Sequence, residues 1–315
     1  MRENSSLTKT AAAEIAGKTK TAGALTENCG KTKKGAVSPL ASLLKKISAL
    51  KGRFWVRLLY IHPDHFNPDI LDILKKDARI LPYFDIPFQS GDDGVIRAMN
   101  RKNSAVYYKK LVKTIRAQFN DAALRTTFLA GFPGETDEAA ANTLDFLQAI
   151  EPDWSGAFAY SKEEDTAAFK MKGQVPKKTA AARVAALQNA QEKITRERLA
   201  SRVRQGKKLL EYDVLVEELV ADPRAESSQD QNGADKKSLK NQNAAAANKD
   251  ISQDQEGAAS YAIGRAWFQA PEVDGNIVIQ FDPDSKDAAL VQPGAVVRVR
   301  ALAVSGVDIY AELIG

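Results

Sequence analysis

Charged and polar residues lie inside segments that otherwise read as β-strands, and their types and spacing are what could do chemistry. Arg57 interrupts FWVRLLY (54–60), Asp85 and Gln89 interrupt YFDIPFQ (83–89), and Arg125 and Thr127 interrupt LRTTFLA (124–130). Side chains alternate with period two along a strand. Asp85 and Gln89 therefore share one face, opposite Phe84, Ile86 and Phe88, and Arg125 shares a face with Thr127. A face covered by helices must be apolar, so the polar side chains are expected to point into a central lumen. Two guanidiniums and a carboxylate there could hold a charged ligand, Arg125 binding a carboxylate through paired hydrogen bonds. They could equally pair with one another as a buried network.

The third of these segments ends in a glycine turn, LRTTFLAGFPGET (124–136). Phe132-Pro133-Gly134-Glu135 fits a type II turn, with Pro133 setting φ at the second position and Gly134 supplying φ > 0 at the third. Gly131 carries no side chain, so a ligand could approach its backbone closely. Thr136 is positioned to cap the helix that follows. Glu163 and Glu164 lie on a loop after the fourth strand and either face a substrate or form a solvated charge run. His62 and His65 stand in a proline turn without further ligands nearby, so no metal site is expected from them.

The elements that position these residues alternate. Strands are predicted at 54–60, 83–89, 124–130 and 154–160, with helices at 40–50, 67–76, 92–99, 104–119, 138–150 and 179–203. Parallel strands joined by right-handed helical crossovers make an α/β layer or part of a barrel. Sites in such sheets gather at the carboxyl ends of the strands. Beyond residue 203 the pattern changes to five short strands at 211–220, 261–268, 275–281, 295–303 and 308–313, which suit a small barrel of the OB type. Arg265, Arg298 and Arg300 with Trp267 and Phe268 could contact nucleic acid by charge and stacking, or could be surface charges over an aromatic core.

Composition excludes several classes. The 315 residues allow about two domains, and 44% hydrophobic content suffices for a core. The single cysteine, Cys29, rules out a disulfide framework and any multi-cysteine metal site within this chain. No apolar run approaches the roughly 18 residues of a membrane helix and the start has no signal-peptide core, so a cytoplasmic protein without membrane contact is expected. The formal charge of +5 is weak evidence for a nucleic-acid partner, because residues 1–35 hold seven Lys or Arg against three Glu. Residues 1–37 read as a disordered low-complexity segment, with a transit peptide as the alternative, and 222–258 as a disordered polar insert. The predicted domains are 38–203 and 204–315.

VRLLYIHPD (56–64), LPYFDIPFQSGDD (81–93), MNRK (99–102), LRTTFLAGFPGET (124–136) and FAYSKEEDT (158–166) together resemble the radical-SAM methylthiotransferase family. APEVDGNIVI (270–279) with PGAVVRV (293–299) resembles that family's TRAM domain. RLLY, DIPFQ and LRTTF favour the branch acting on a ribosomal protein, while Ser90-Gly91 is more like the tRNA-modifying branch. The resemblance implies an incomplete (βα) partial barrel of radical-SAM type, with about four parallel strands, followed by an OB-like TRAM barrel. It implies S-adenosylmethionine and 4Fe-4S clusters as cofactors. The implied reaction is methylthiolation of the β-carbon of an aspartate in a small-subunit ribosomal protein, with possible RNA contact through the TRAM domain. It places Arg57, Asp85, Gln89, Ser90, Arg125, Thr127, Gly131, Gly134 and Glu135 around S-adenosylmethionine, and names no catalytic residue. The family's CxxxCxxC cluster loop is not in this sequence, and the strands present correspond to the third to sixth of the family's six. The expectation is a C-terminal fragment, inactive alone in methylthio transfer. A fragment of the tRNA enzyme and a noncatalytic RNA- or ribosome-binding module are the alternatives. Asp165 stands where the family often has glycine, so the loop after the fourth strand is expected to turn differently.

Overall fold

The computed structural model describes residues 38–220 and 260–314, so the segment at 1–37 with Cys29, and the insert at 222–258, lie outside the described residues. The chain divides into two compact units between Ile194 and Thr195.

The first unit is built on four parallel strands in sequential order: β1 (Val56–Leu58), β2 (Ile80–Asp85), β3 (Ala123–Ala130) and β4 (Trp154–Ala159). Its helices are α1 (Pro39–Ser48), α2 (Asp69–Lys76), α3 (Asp93–Ala98), α4 (Ala105–Gln118), α5 (Asp137–Ile150) and the greater part of α6 (Lys177–Val203). Local chemistry sets the helix starts. Pro39 opens α1, and the side chains of Asp92, Ser104 and Thr136 accept from Val95 N, Tyr107 N and Ala139 N at 3.0, 3.2 and 3.1 Å. One sheet face packs on these helices through Phe84, Leu124 and Phe128, with Phe88, Tyr108 and Phe146 also buried in the same core. Deeply buried aromatic rings meet there, Phe88 edge-on to Phe146 at 5.3 Å between centroids.

Two predicted strands shorten. The first retains only Val56–Leu58, and the second covers Ile80–Asp85 rather than 83–89. Past Asp85 the chain bulges: Ile86 N donates to Arg125 O and Gln89 N to Thr127 O, so three residues span the distance that two span on β3. Pro87, which has no N–H to give to a ladder, sits within the bulge. The alternation that grouped Gln89 with Asp85 is therefore interrupted, and Gln89 takes a left-handed φ of 70°.

The second unit is a closed barrel in the order β10-β11-β9-β8-β7, formed by β7 (Glu211–Val220), β8 (Ser260–Arg265), β9 (Ile277–Phe281), β10 (Val296–Ser305) and β11 (Asp308–Leu313). A short pair, β5 (Arg204–Gln205) and β6 (Lys208–Leu209), precedes it. β9 and β11 pair parallel and the other barrel neighbours antiparallel. The predicted five strands are present, β7 and β11 with the predicted bounds. Gly275 is required by close packing, since a Cβ there would stand 1.8 Å from Val307 O. Phe268, predicted within a strand, follows β8 in a turn and is fully buried against Tyr212 and Trp267.

Candidate functional site

Register brings three predicted residues to one face of the sheet. Asp85 pairs with Arg125, Arg125 with Trp154, and Thr127 with Gly156, and in-register partners of parallel strands point the same way. Arg57 reaches the same side, its guanidinium carbon lying 4.9 Å from the ring centroid of Tyr83. Arg57, Arg125 and Thr127 are half-buried, whereas Asp85 is 3% exposed.

Asp85 organises the carboxyl end of β1. Its carboxylate accepts the N–H of Tyr60 at 3.1 Å, and its main-chain oxygen accepts that of Ile61 at 2.8 Å. Burial pushes the Asp85 carboxyl up, against the Tyr60 N–H and the Arg125 charge, which pull it down. Tyr60 itself adopts φ 56°, a conformation costly for an aromatic residue, and the residue is 80% exposed. Of the two readings of the polar face, pairing within the chain is thus met in part, since Arg125 sits beside Asp85, while Arg57 lies on Tyr83.

The other candidates are taken up by the fold. Ser90 is fully buried, its hydroxyl 3.0 Å from that of Thr143 and accepting Asp92 N at 3.1 Å. The type II turn is present, with Glu135 N donating to Phe132 O at 2.9 Å and Gly134 at φ 85°. Close backbone approach at this turn, however, is made by the chain itself. A Cβ on Gly131 would stand 2.5 Å from Ala180 Cβ of α6, and Gly134 N donates to Gly173 O at 2.8 Å. The Glu135 carboxylate accepts Gly131 N at 2.6 Å and pairs with Arg183 at 2.8 Å. The approachable atoms of Gly131, Gly134, Glu135 and Ser90 thus already have partners within the chain.

The rings of His62 and His65 lie 4.8 Å apart, and His62 Nδ1 accepts Asp64 N. No group of three or more potential metal ligands occurs among the described residues. Glu163 and Glu164 are exposed. Asp165, on the loop after β4, has φ 63°, in the left-handed region that glycine favours. Sequence reasoning missed Arg183, whose partners stand more than 40 positions earlier, and the hold of Asp85 on Tyr60. An aromatic residue ending the predicted strand at 54–60 was the one legible signal.

On the barrel, the arginines meet acids of their own chain. Arg265 pairs with Glu217, Arg298 with Asp213 at 3.0 Å, and Arg300 with Glu312 at 2.9 Å and Glu211 at 3.6 Å. Arg202 lies over the rings of Phe268 and Trp267 at 4.5 and 5.1 Å.

The Radical SAM superfamily matches residues 35–147 and the TRAM domain residues 251–314. A parallel βα sheet with a polar face, followed by a five-stranded barrel, is the protein class these matches define. The ribosomal protein uS12 methylthiotransferase RimO of Treponema denticola is 47% identical over 90% of this chain and 53% of its own length. The RimO of Thermotoga maritima is 33% identical over 76% of this chain and 46% of its own. The chain is similar to the radical-SAM methylthiotransferases and spans about half the length of these curated relatives. The radical SAM enzyme coproporphyrinogen III oxidase (HemN) of Escherichia coli is similar at 21% identity over 48% of this chain and 36% of that one, with a TM-score of 0.39, too slight to argue from.

The family implies S-adenosylmethionine and 4Fe-4S clusters, and the two fare differently here. A cluster of this type is held by several cysteine thiolates, and this sequence has one cysteine. Its residues do not fit the cluster. The polar face does fit S-adenosylmethionine, whose methionyl end carries a carboxylate and an ammonium: Arg57 and Arg125 are cationic partners for the first, and Asp85 is an anionic partner for the second.

Proposed function

We propose that this chain forms the S-adenosylmethionine-holding wall and the TRAM barrel of a methylthiotransferase that modifies the aspartate β-carbon of a small-subunit ribosomal protein in the cytoplasm. The observation that carries it is the shared face of Arg57, Asp85, Arg125 and Thr127, a charged and half-open surface on an otherwise apolar sheet. When bound with a cluster, S-adenosylmethionine supplies the oxidising radical that no side chain can make. The chain's own residues bind and orient: Arg125 and Arg57 hold the carboxylate, Asp85 stays buried between Arg125 and the strained Tyr60, and the packed glycine turn closes the wall against water.

A single cysteine cannot supply the three thiolates of a radical-SAM cluster, so methylthio transfer by this chain alone is not part of the reading. A protein rather than an RNA substrate is favoured by the barrel, where Arg265, Arg298 and Arg300 are neutralised by Glu217, Asp213, Glu211 and Glu312. Nucleic-acid affinity comes from cations that release counterions from phosphates, and paired arginines are poor at that.

Mass spectrometry of ribosomal protein and tRNA from a strain lacking the gene tests the substrate. Loss of the methylthio group from the ribosomal protein with tRNA unchanged is expected, and the reverse would overturn it. Calorimetry with S-adenosylhomocysteine tests the wall directly. Arg125→Ala is expected to weaken binding by about tenfold or more, as loss of a charge-assisted contact should, and unchanged affinity would remove Arg125 from the role.

A further inference from the structure

Just past β1 the chain presents an exposed aromatic residue on a strained backbone. Tyr60 has φ 56° and is 80% exposed, and Leu59 before it is 46% exposed. A left-handed φ is unfavourable for any residue with a Cβ and most of all for a bulky one, and glycine would make the same turn with less strain. The neighbouring strand fixes this conformation: the buried Asp85 carboxylate accepts Tyr60 N at 3.1 Å, and Asp85 O accepts Ile61 N at 2.8 Å. Both bonds hold the backbone, and neither uses the phenol ring. Strained residues that the surrounding structure pins in place cluster at ligand-contacting sites. This one stands at the carboxyl end of the sheet, three positions after Arg57.

We propose that Tyr60 is a substrate-contacting residue whose ring packs on the polypeptide loop carrying the aspartate to be modified, and so helps select that protein. This rests on the substrate reading above. The surroundings fix the occupant. The charged end of a small cofactor already has its partners in Arg57, Asp85 and Arg125, and a residue four-fifths exposed suits a larger partner that arrives from solvent. Tyrosine is enriched in protein–protein contacts because it offers a large amphipathic surface with only two side-chain torsions to order. Leu59 adds exposed aliphatic surface next to it. The two Asp85 bonds set the backbone beneath the ring in advance, which reduces the ordering needed on docking.

The test compares the full chain as wild type, Tyr60→Asn and Tyr60→Phe. Asparagine enters the left-handed region readily, so Tyr60→Asn removes the ring and keeps the turn. The probe is purified ribosomal protein uS12, the protein in the relatives' name, titrated by fluorescence anisotropy. Tyr60→Asn weakens uS12 binding by about tenfold or more, as loss of an interface anchor does, while Tyr60→Phe binds like wild type. The melting temperature of Tyr60→Asn equals or exceeds that of wild type, and its affinity for S-adenosylhomocysteine in calorimetry is unchanged. A lower melting temperature would show that the ring packs within the protein and overturn the proposal. A parallel loss of S-adenosylhomocysteine affinity would place the ring on the cofactor, and a loss in Tyr60→Phe as large as in Tyr60→Asn would replace the ring by its hydroxyl; either overturns it. Unchanged uS12 binding by Tyr60→Asn overturns it while leaving the substrate reading intact. Failure of the wild type to bind uS12 overturns both.

Discussion

Arg183 on α6 and Glu135 at the end of the glycine turn form a 2.8 Å ion pair, with side chains 13% and 2% exposed. Glu135 also accepts the N–H of Gly131, so one carboxylate ties the turn to itself and to a helix 48 residues further along the chain. Arg183 extends a second nitrogen to Asp137 at 2.6 Å, and that side chain is 97% exposed.

The two halves of this fork differ in what their loss should do. Arg183→Ala leaves a buried carboxylate with its cation gone and is expected to cost about 3–5 kcal/mol. Asp137→Asn removes a solvated partner and is expected to cost at most about 1 kcal/mol. Urea unfolding monitored by circular dichroism measures both, and equal losses would mean that Glu135 is not the partner that matters.

Two buried carboxyls in the first unit should respond to pH with opposite signs. Asp85 is pushed up by burial, so its contribution to stability is fullest below the usual carboxylate pKa of about 4 and is lost as pH rises through its raised native value. In Asp64, burial is outweighed by hydrogen bonds from Lys102 N, Asn103 and the Tyr108 hydroxyl at 2.8, 2.9 and 2.9 Å, and its pKa falls. Its contribution is present above about pH 4 and is lost as pH drops through the lowered native value. At pH 7, Asp64→Asn should cost about 2–3 kcal/mol, whereas Asp85→Asn should be neutral or stabilising by about 1 kcal/mol. Denaturation midpoints taken from pH 3 to pH 7 would show the Asp64→Asn deficit shrinking toward acid. A deficit constant with pH would rule out the charge as its source.

Asp165 occupies a left-handed position with φ 63° on the loop after β4. Asp165→Gly relieves that conformation and is expected to stabilise by about 0.5–1 kcal/mol. Thermal unfolding reads the gain. Asp165→Val, whose branched side chain tolerates the conformation worse, should move the midpoint the other way.

RNA retention by the barrel should be weak and indifferent to its arginines. Arg298→Ala with Arg300→Ala is expected to leave binding to a generic RNA, and its slope against salt, unchanged. Filter binding between about 50 and 200 mM salt measures this, and a shallower slope in the double variant would show that these arginines contact phosphate.

The sequence by itself determined the alternation of strands and helices, the capping of α5 by Thr136, the type II turn and the five barrel strands. Each follows from a local rule: residue spacing, a side chain that caps its own helix, or the dihedral angles that proline and glycine allow. Alternation, with the need for an apolar outer face, also pointed Arg57, Asp85, Arg125 and Thr127 inward, and register sets Asp85, Arg125 and Thr127 on one face. Tertiary structure decided the rest. The bulge at Ile86–Phe88 took Gln89 out of the alternation, Ala180 filled the approach to Gly131, Thr143 took the Ser90 hydroxyl, and Arg183 took Glu135. Those outcomes depend on which distant segment packs against a turn or strand end, and no periodicity in a single segment encodes its partner.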